Sequence, residues 1–150
     1  KGNLTSKLMK ALPFNLTKAQ KKTFLEISHD INRLYPMQRL LLGDVGSGKT
    51  IVATLAALQV IENNFQVALM APTEILAEQH FLKLCEWLTP LDITPVWLSG
   101  SLKKKEKKLV IDKISNGKTQ LAIGTHALFQ SSVVFKKLGL TIVDEQHKFG

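Results

Sequence analysis

The stretch Arg39–Thr50, RLLLGDVGSGKT, decides how the rest of the chain is read. Leu40, Leu41 and Leu42 form an apolar run that stops at Gly43, and Lys49 and Thr50 open a second, longer apolar segment. This predicts strand, glycine-rich loop and helix in succession, with the loop spelling G-x-x-x-x-G-K-T from Gly43 to Thr50. A triphosphate needs several N–H donors close together, and glycines let the backbone curl around it without Cβ clashes. The helix N-terminus adds its positive dipole end and its unpaired N–H groups. Gly43, Asp44, Val45, Gly46, Ser47, Gly48, Lys49 and Thr50 are therefore the candidate nucleotide-binding residues. Lys49 reaches the β and γ phosphates as a point charge, and Thr50 puts a hydroxyl where the nucleotide's Mg²⁺ would sit. The bland alternative is a glycine-rich turn between two core elements.

Elsewhere, short apolar runs alternate with helical periodicity. Thr17 followed by Gln20 is a capping box, and it opens a helix to about Asn32 with Phe24, Ile27 and Ile31 at helical spacing. Lys49–Glu62 is apolar nearly all round and predicts a helix buried behind a sheet. Val67–Met70, Thr94–Leu98, Leu121–Ile123 and Leu140–Val143 read as further strands. Thr73 caps a helix to about Leu88, with Ala77, Phe81, Leu84, Cys85 and Leu88 as its apolar face. Lys103–Ser115 is expected to be an amphipathic helix with Leu109, Val110 and Ile114 inward, stopped by Asn116-Gly117. His126–Gln130 reads as a turn or short helix. The fold class is therefore α/β, a mostly parallel sheet with helices on both faces. Right-handed crossovers put every strand's C-terminal end on one edge, the edge at which such sheets bind ligands. GDVGSGKT, APT, LSGS, GTHAL and DEQH all fall at those ends.

Leu140–Glu145, LTIVDE, is an apolar strand closed by two carboxylates. In a P-loop enzyme the first, Asp144, binds Mg²⁺ and the second, Glu145, takes a proton from attacking water. Lys49, Asp144 and Glu145 are the candidate catalytic set, with Thr50 and Asp144 as the candidate metal ligands.

Composition is consistent with this chemistry. The chain has 150 residues, one domain's worth, and 45% of them are hydrophobic, enough for a core. A formal net charge of +8, Lys+Arg 20 against Asp+Glu 12, favours an anionic partner such as nucleic acid. The single cysteine, Cys85, excludes an internal disulfide and fits a reducing compartment. No apolar run approaches the ~20 residues of a membrane span, so no membrane partner is expected. His29, His80 and Cys85 have no ligand spacing, so zinc is not expected. The chain opens at Lys1 and stops at Gly150 just after the acidic strand end, and is expected to be a piece of a longer protein.

Asp144-Glu145-Gln146-His147 is a D-E-x-H box, and with the motifs upstream the chain resembles the superfamily-two helicases and translocases. Leu16–Gln20 is similar to their adenine-reading Q-type motif, Ala71–Glu74 to motif Ia and Gly124–Leu128 to motif Ib. GDVGSGKT, APTEILAEQH, GTHAL and DEQHKFG match best the bacterial helicases that migrate DNA branches, across Leu12 to Gly150. The resemblance implies a RecA-like three-layer α/β/α motor domain over residues 16–150, with 1–15 a lead-in from an upstream domain. It implies ATP and Mg²⁺ as ligands and branched or forked DNA as partner. It also implies a second RecA-like domain and a wedge domain in the same parent chain, working in the bacterial cytoplasm. Gln20 would read adenine, and Gln146 and His147 would relay between nucleotide and DNA. Thr73, Ser99, Gly100, Thr125 and His126 would lie near a DNA backbone. The same resemblance places the strand between the P-loop strand and the D-E-x-H strand beyond Gly150, leaving either a gap there or a direct pairing.

Bland readings stand beside these. Gln20 already serves as the partner of Thr17, Thr73 as an N-cap, and His126 fits a hydrogen-bonded structural histidine. The run Lys103–Lys108 is either a solvated helix face or a phosphate-attracting patch. Trp87 and Trp97 are expected to pack rather than stack on bases. The rival functions are the motor of a related translocase, one coupling transcription to repair or acting at primosomes, and a non-catalytic DNA- or nucleotide-binding module. A GTPase switch would need an N-K-x-D strand end, and no such tetrapeptide occurs.

Overall fold

The computed structural model describes residues 3–12, 14–33, 38–42, 47–126 and 133–144, and for 3, 30–33, 38–42 and 47–49 the backbone alone. Two helices, α1 (Asn3–Ala11) and α2 (Lys18–Arg33), precede strand β1 (Gln38–Leu42). Then come α3 (Ser47–Glu62), β2 (Gln66–Ala71), α4 (Glu74–Leu88), β3 (Val96–Leu98), α5 (Lys104–Ser115), β4 (Leu121–Thr125) and β5 (Leu138–Asp144). The strands form a five-stranded sheet in the order β1-β5-β2-β4-β3, and every pairing is parallel. Of the two arrangements expected between the loop-bearing and acid-bearing strands, the sheet has the direct pairing, β1 on β5.

The core lies mainly on one face. Val67, Leu69 and Ala71 of β2, Leu121 and Ile123 of β4, and Leu140 and Ile142 of β5 alternate along their strands and join one cluster with α3 and α4. The intervening Ala68, Ala122 and Val143 are buried outside that cluster, on the face served by α5, which packs on β3. Helix α3 is apolar all round because it is covered all round: the sheet lies beneath it, and α1 and α2 pack against it. The stretch read as a lead-in forms α1, whose Leu8 is fully buried. Glu62, at the end of α3, accepts the α1 backbone N–H of Leu4 at 2.9 Å, satisfying an orphan donor of that helix. Gly117 ends the turn after α5 at φ +81, as its position after Asn116 requires.

Two faces differ from expectation. On α5 Leu109 is exposed, and the inward line runs through Val110, Ile111 and Ile114, with α5 packing on β3 and the Ile114 carbonyl held by Gln66 of β2. On α4 the buried residues are Ala77, His80, Leu84, Trp87 and Leu88. Phe81 and Cys85 sit at the flank, where Phe81 stacks on Trp97 at 5.6 Å between ring centroids. The stripe is rotated because His80 has a polar partner inside.

Candidate nucleotide and nucleic-acid edge

Parallel pairing brings all the strand ends to one edge. In the register Leu42 lies beside Asp144, Ala71 beside Thr125, Met70 beside Val143 and Leu98 beside Gly124. The strand that feeds the glycine-rich loop therefore ends level with the strand that ends in acid. The first turn of α3 is Ser47-Gly48-Lys49-Thr50, so its N–H groups open onto this edge. Thr50 is half-buried, and its carbonyl accepts the Thr54 hydroxyl at 2.8 Å. Gly43, Asp44, Val45 and Gly46 lie outside the described residues, as do Glu145, Gln146 and His147.

Asp144 is 1% exposed. Its Oδ2 lies 2.8 Å from Nε2 of His80, while Oδ1 is buried with no hydrogen-bond partner among the described residues. A carboxylate withdrawn from water is costly unless each oxygen is satisfied. Among the described residues Oδ1 is thus a hard oxygen donor without a partner, the kind of ligand Mg²⁺ takes.

Gln20 makes both bonds of the capping box: its Oε1 accepts the Thr17 N–H at 2.9 Å, and its own N–H reaches the Thr17 hydroxyl at 3.1 Å. Thr73 is the N-cap of α4, accepting the Leu76 N–H at 3.2 Å. Ser99 and Gly100 follow β3, and Glu74 in the first turn of α4 joins them to it. Its Oε1 accepts the Ser99 hydroxyl at 3.4 Å and its Oε2 the Gly100 N–H at 3.3 Å. Thr125 is buried at the end of β4, and His126, next to it, is exposed.

The sheet order sorts these residues into two neighbouring halves. Of the described nucleotide candidates, Ser47–Thr50 belong to α3, Asp144 to β5 beside β1, and Gln20 to α2, whereas the DNA candidates lie at the ends of β2, β4 and β3. Beyond the edge, Lys103, Lys104, Lys105 and Lys108 are exposed on and before α5. Trp87 is buried, with Lys83 Nζ 5.7 Å from its ring centroid, and Trp97 is half-buried against Phe81, so both pack as expected.

Two residues escaped the sequence reading. Glu74 is named in the sequence only as the last residue of the segment similar to motif Ia, and its two bonds to Ser99 and Gly100 come from the fold. His80 has no zinc-ligand spacing, but a histidine three residues after Ala77 and four before Leu84 falls on the stripe facing the sheet.

The DEAD/DEAH box helicase family matches residues 17–150. The chain is similar to the "ATP-dependent DNA helicase RecG" of Haemophilus influenzae, 51% identical over 148 residues that cover 99% of this chain and 21% of the relative. It is equally similar to that of Escherichia coli K12, 51% identical over 147 residues, 98% of this chain and 21% of the relative. The chain thus spans about a fifth of the length of the curated relatives it matches. Its fold superposes on a solved structure of RecG bound to a three-way DNA junction with a TM-score of 0.87 and 46% identity, over 100% of this chain and 21% of that one. A hypothetical ATP-dependent RNA helicase from Sulfolobus tokodaii shares the fold alone, with a TM-score of 0.65 at 15% identity over 98% of this chain and 51% of that one.

Proposed function

The chain belongs to the DEAD/DEAH box helicase family, and from that premise we propose that it is the ATP-driven motor segment of a DNA helicase or translocase that remodels branched DNA in recombination and repair. The observation that carries the reading is the buried, half-satisfied carboxylate of Asp144 level with the end of the loop-bearing strand. Similarity to the RecG helicases, one of them solved on a three-way DNA junction, supports the substrate class.

In this reading the N–H groups of Gly46 to Thr50 and the Lys49 ammonium neutralise the phosphates of ATP. Thr50 and Asp144 would hold Mg²⁺, which would supply Lewis-acid neutralisation of phosphate charge. Glu145 accepts a proton from the attacking water. Gln20 caps α2 and reads adenine. Gln146 and His147 pass the state of the nucleotide to Thr73, Ser99, Gly100, Thr125 and His126, which contact the DNA backbone. Residues 16–150 are the N-terminal part of the motor domain, and the parent chain supplies a second RecA-like domain and a wedge domain. The second RecA-like domain contributes the arginine that steadies transition-state charge, so the segment alone hydrolyses ATP negligibly. The parent protein works in the bacterial cytoplasm.

The test is DNA-stimulated ATP hydrolysis by the full-length parent, on forked and on linear duplex DNA. Forked DNA is expected to stimulate more, and Lys49→Ala to abolish turnover while leaving fork binding in place. Wild-type turnover by Lys49→Ala, or GTP preferred over ATP, would overturn the reading.

A further inference from the structure

We propose that His80 is a positioning residue for the magnesium site: it grips one oxygen of Asp144 and thereby presents the other to the cation. The proposal rests on the reading of Asp144 as a metal ligand. His80 sits on the sheet-facing stripe of α4, 8% exposed, and Asp144 ends β5, 1% exposed. Their 2.8 Å contact joins residues 64 apart in sequence. An ionised carboxylate only accepts hydrogen bonds, so Nε2 carries the proton it shares with Oδ2.

A lone aspartate at a strand end has freedom about χ1 and χ2, and each wrong orientation turns both oxygens away from a ligand. The hydrogen bond from His80 removes that freedom. It also occupies a single oxygen. Oδ1 remains buried and without a partner among the described residues, a state that costs free energy until a cation or donor satisfies it. A purely structural pair would be expected to use both oxygens. The division of labour, one oxygen held and the other without a partner among the described residues, is what metal sites impose on their ligating carboxylates through an outer hydrogen-bond partner.

The experiment uses the full-length parent with ADP, with Mn²⁺ in place of Mg²⁺, reading bound Mn²⁺ by electron paramagnetic resonance. His80→Ala is expected to weaken nucleotide-dependent Mn²⁺ binding by about 10- to 100-fold while leaving metal-free ADP binding unchanged. His80→Gln, whose amide nitrogen reaches where Nε2 stood, is expected to restore it. Unchanged Mn²⁺ affinity in His80→Ala beside a loss in Asp144→Ala overturns the role of His80 alone. Unchanged affinity in Asp144→Ala shows that the ligand reading itself has failed, and the proposal with it. Should His80→Ala not fold, the wild type decides. With histidine ¹⁵N-labelled and the signal assigned through His80→Gln, the Nε2 resonance of His80 is expected to shift on adding Mg²⁺ to the ADP complex. No shift overturns the proposal.

Discussion

Nε2 of His80 stands 2.8 Å from Oδ2 of Asp144, so the middle of α4 and the end of β5 are joined by a buried polar contact. Among the described residues, the other polar contacts of α4 lie at its first turn, where Glu74 meets Ser99 and Gly100 after β3, and the rest of the helix packs through apolar side chains. Apolar contacts tolerate sliding, whereas a hydrogen bond fixes atoms to within tenths of an ångström. The acid-bearing strand end is therefore referenced to the helix that Thr73 caps and whose first turn holds Glu74.

Gln66 is the polar bracket at the opposite edge of the sheet. Its Nε2 donates to the carbonyls of Ile114 at 2.9 Å and Thr119 at 2.7 Å, and its Oε1 accepts the Lys137 N–H at 2.8 Å. Gln66→Ala is expected to orphan these groups at roughly 1–3 kcal/mol each, less whatever entering water recovers. Gln66→Glu keeps the shape but sets an acceptor against two carbonyls, and is expected to cost at least as much. Urea midpoints of the chain check this, and a Glu variant as stable as wild type would show that shape alone matters.

Gly139 is required by space. A Cβ there would lie 2.6 Å from Cβ of Phe65 and 2.9 Å from Cγ1 of Val60. The Phe65 atom is fixed to its backbone and cannot swing aside. Gly139→Ala is expected to destabilise by about 1–3 kcal/mol through overpacking. The prediction fails if the melting temperature is unchanged.

Burial pushes the Cys85 thiol pKa above its ordinary value. The thiolate is the reactive form, so iodoacetamide should alkylate Cys85 more slowly in the native chain than in urea at the same pH. The native rate should rise as pH increases. Because the folded state holds the thiol proton more firmly than the unfolded state, this group's contribution to stability is present below the unfolded thiol's pKa and is lost above it. Equal native and unfolded rates at pH 8 would contradict the shift.

Lys103, Lys104, Lys105, Lys107 and Lys108 are expected to act as a phosphate-attracting patch. Replacing all five by Gln in the parent should flatten the plot of log K against log salt, by about 0.9 for each duplex phosphate that is no longer neutralised. Turnover at saturating DNA should stay unchanged. An unaltered slope would reduce the cluster to a solvated helix face.

How much of this was legible in the sequence depended on the range of the interaction. The caps at Thr17 and Thr73, the stop at Asn116-Gly117 and the apolar strands are local patterns, and the structure has each of them where its residues are described. The error at Leu109 came from assigning an inward face without knowing where β3 would lie against the helix. The error on α4 had a single cause: Phe81 and Cys85 satisfy helical spacing as well as His80 does, and periodicity cannot see a carboxylate that arrives 64 residues later.

The menu of elements, the motifs at the strand ends and the chemistry those motifs imply were all written in the order of residues, because backbone sterics and apolar spacing act within a few positions. The strand order β1-β5-β2-β4-β3, the sorting of the edge into two halves and the partner of Asp144 came from the folded arrangement alone. They follow from which surfaces meet after collapse, a property of residues far apart in the chain, where burial turns an unremarked histidine into the natural donor for a desolvated acid.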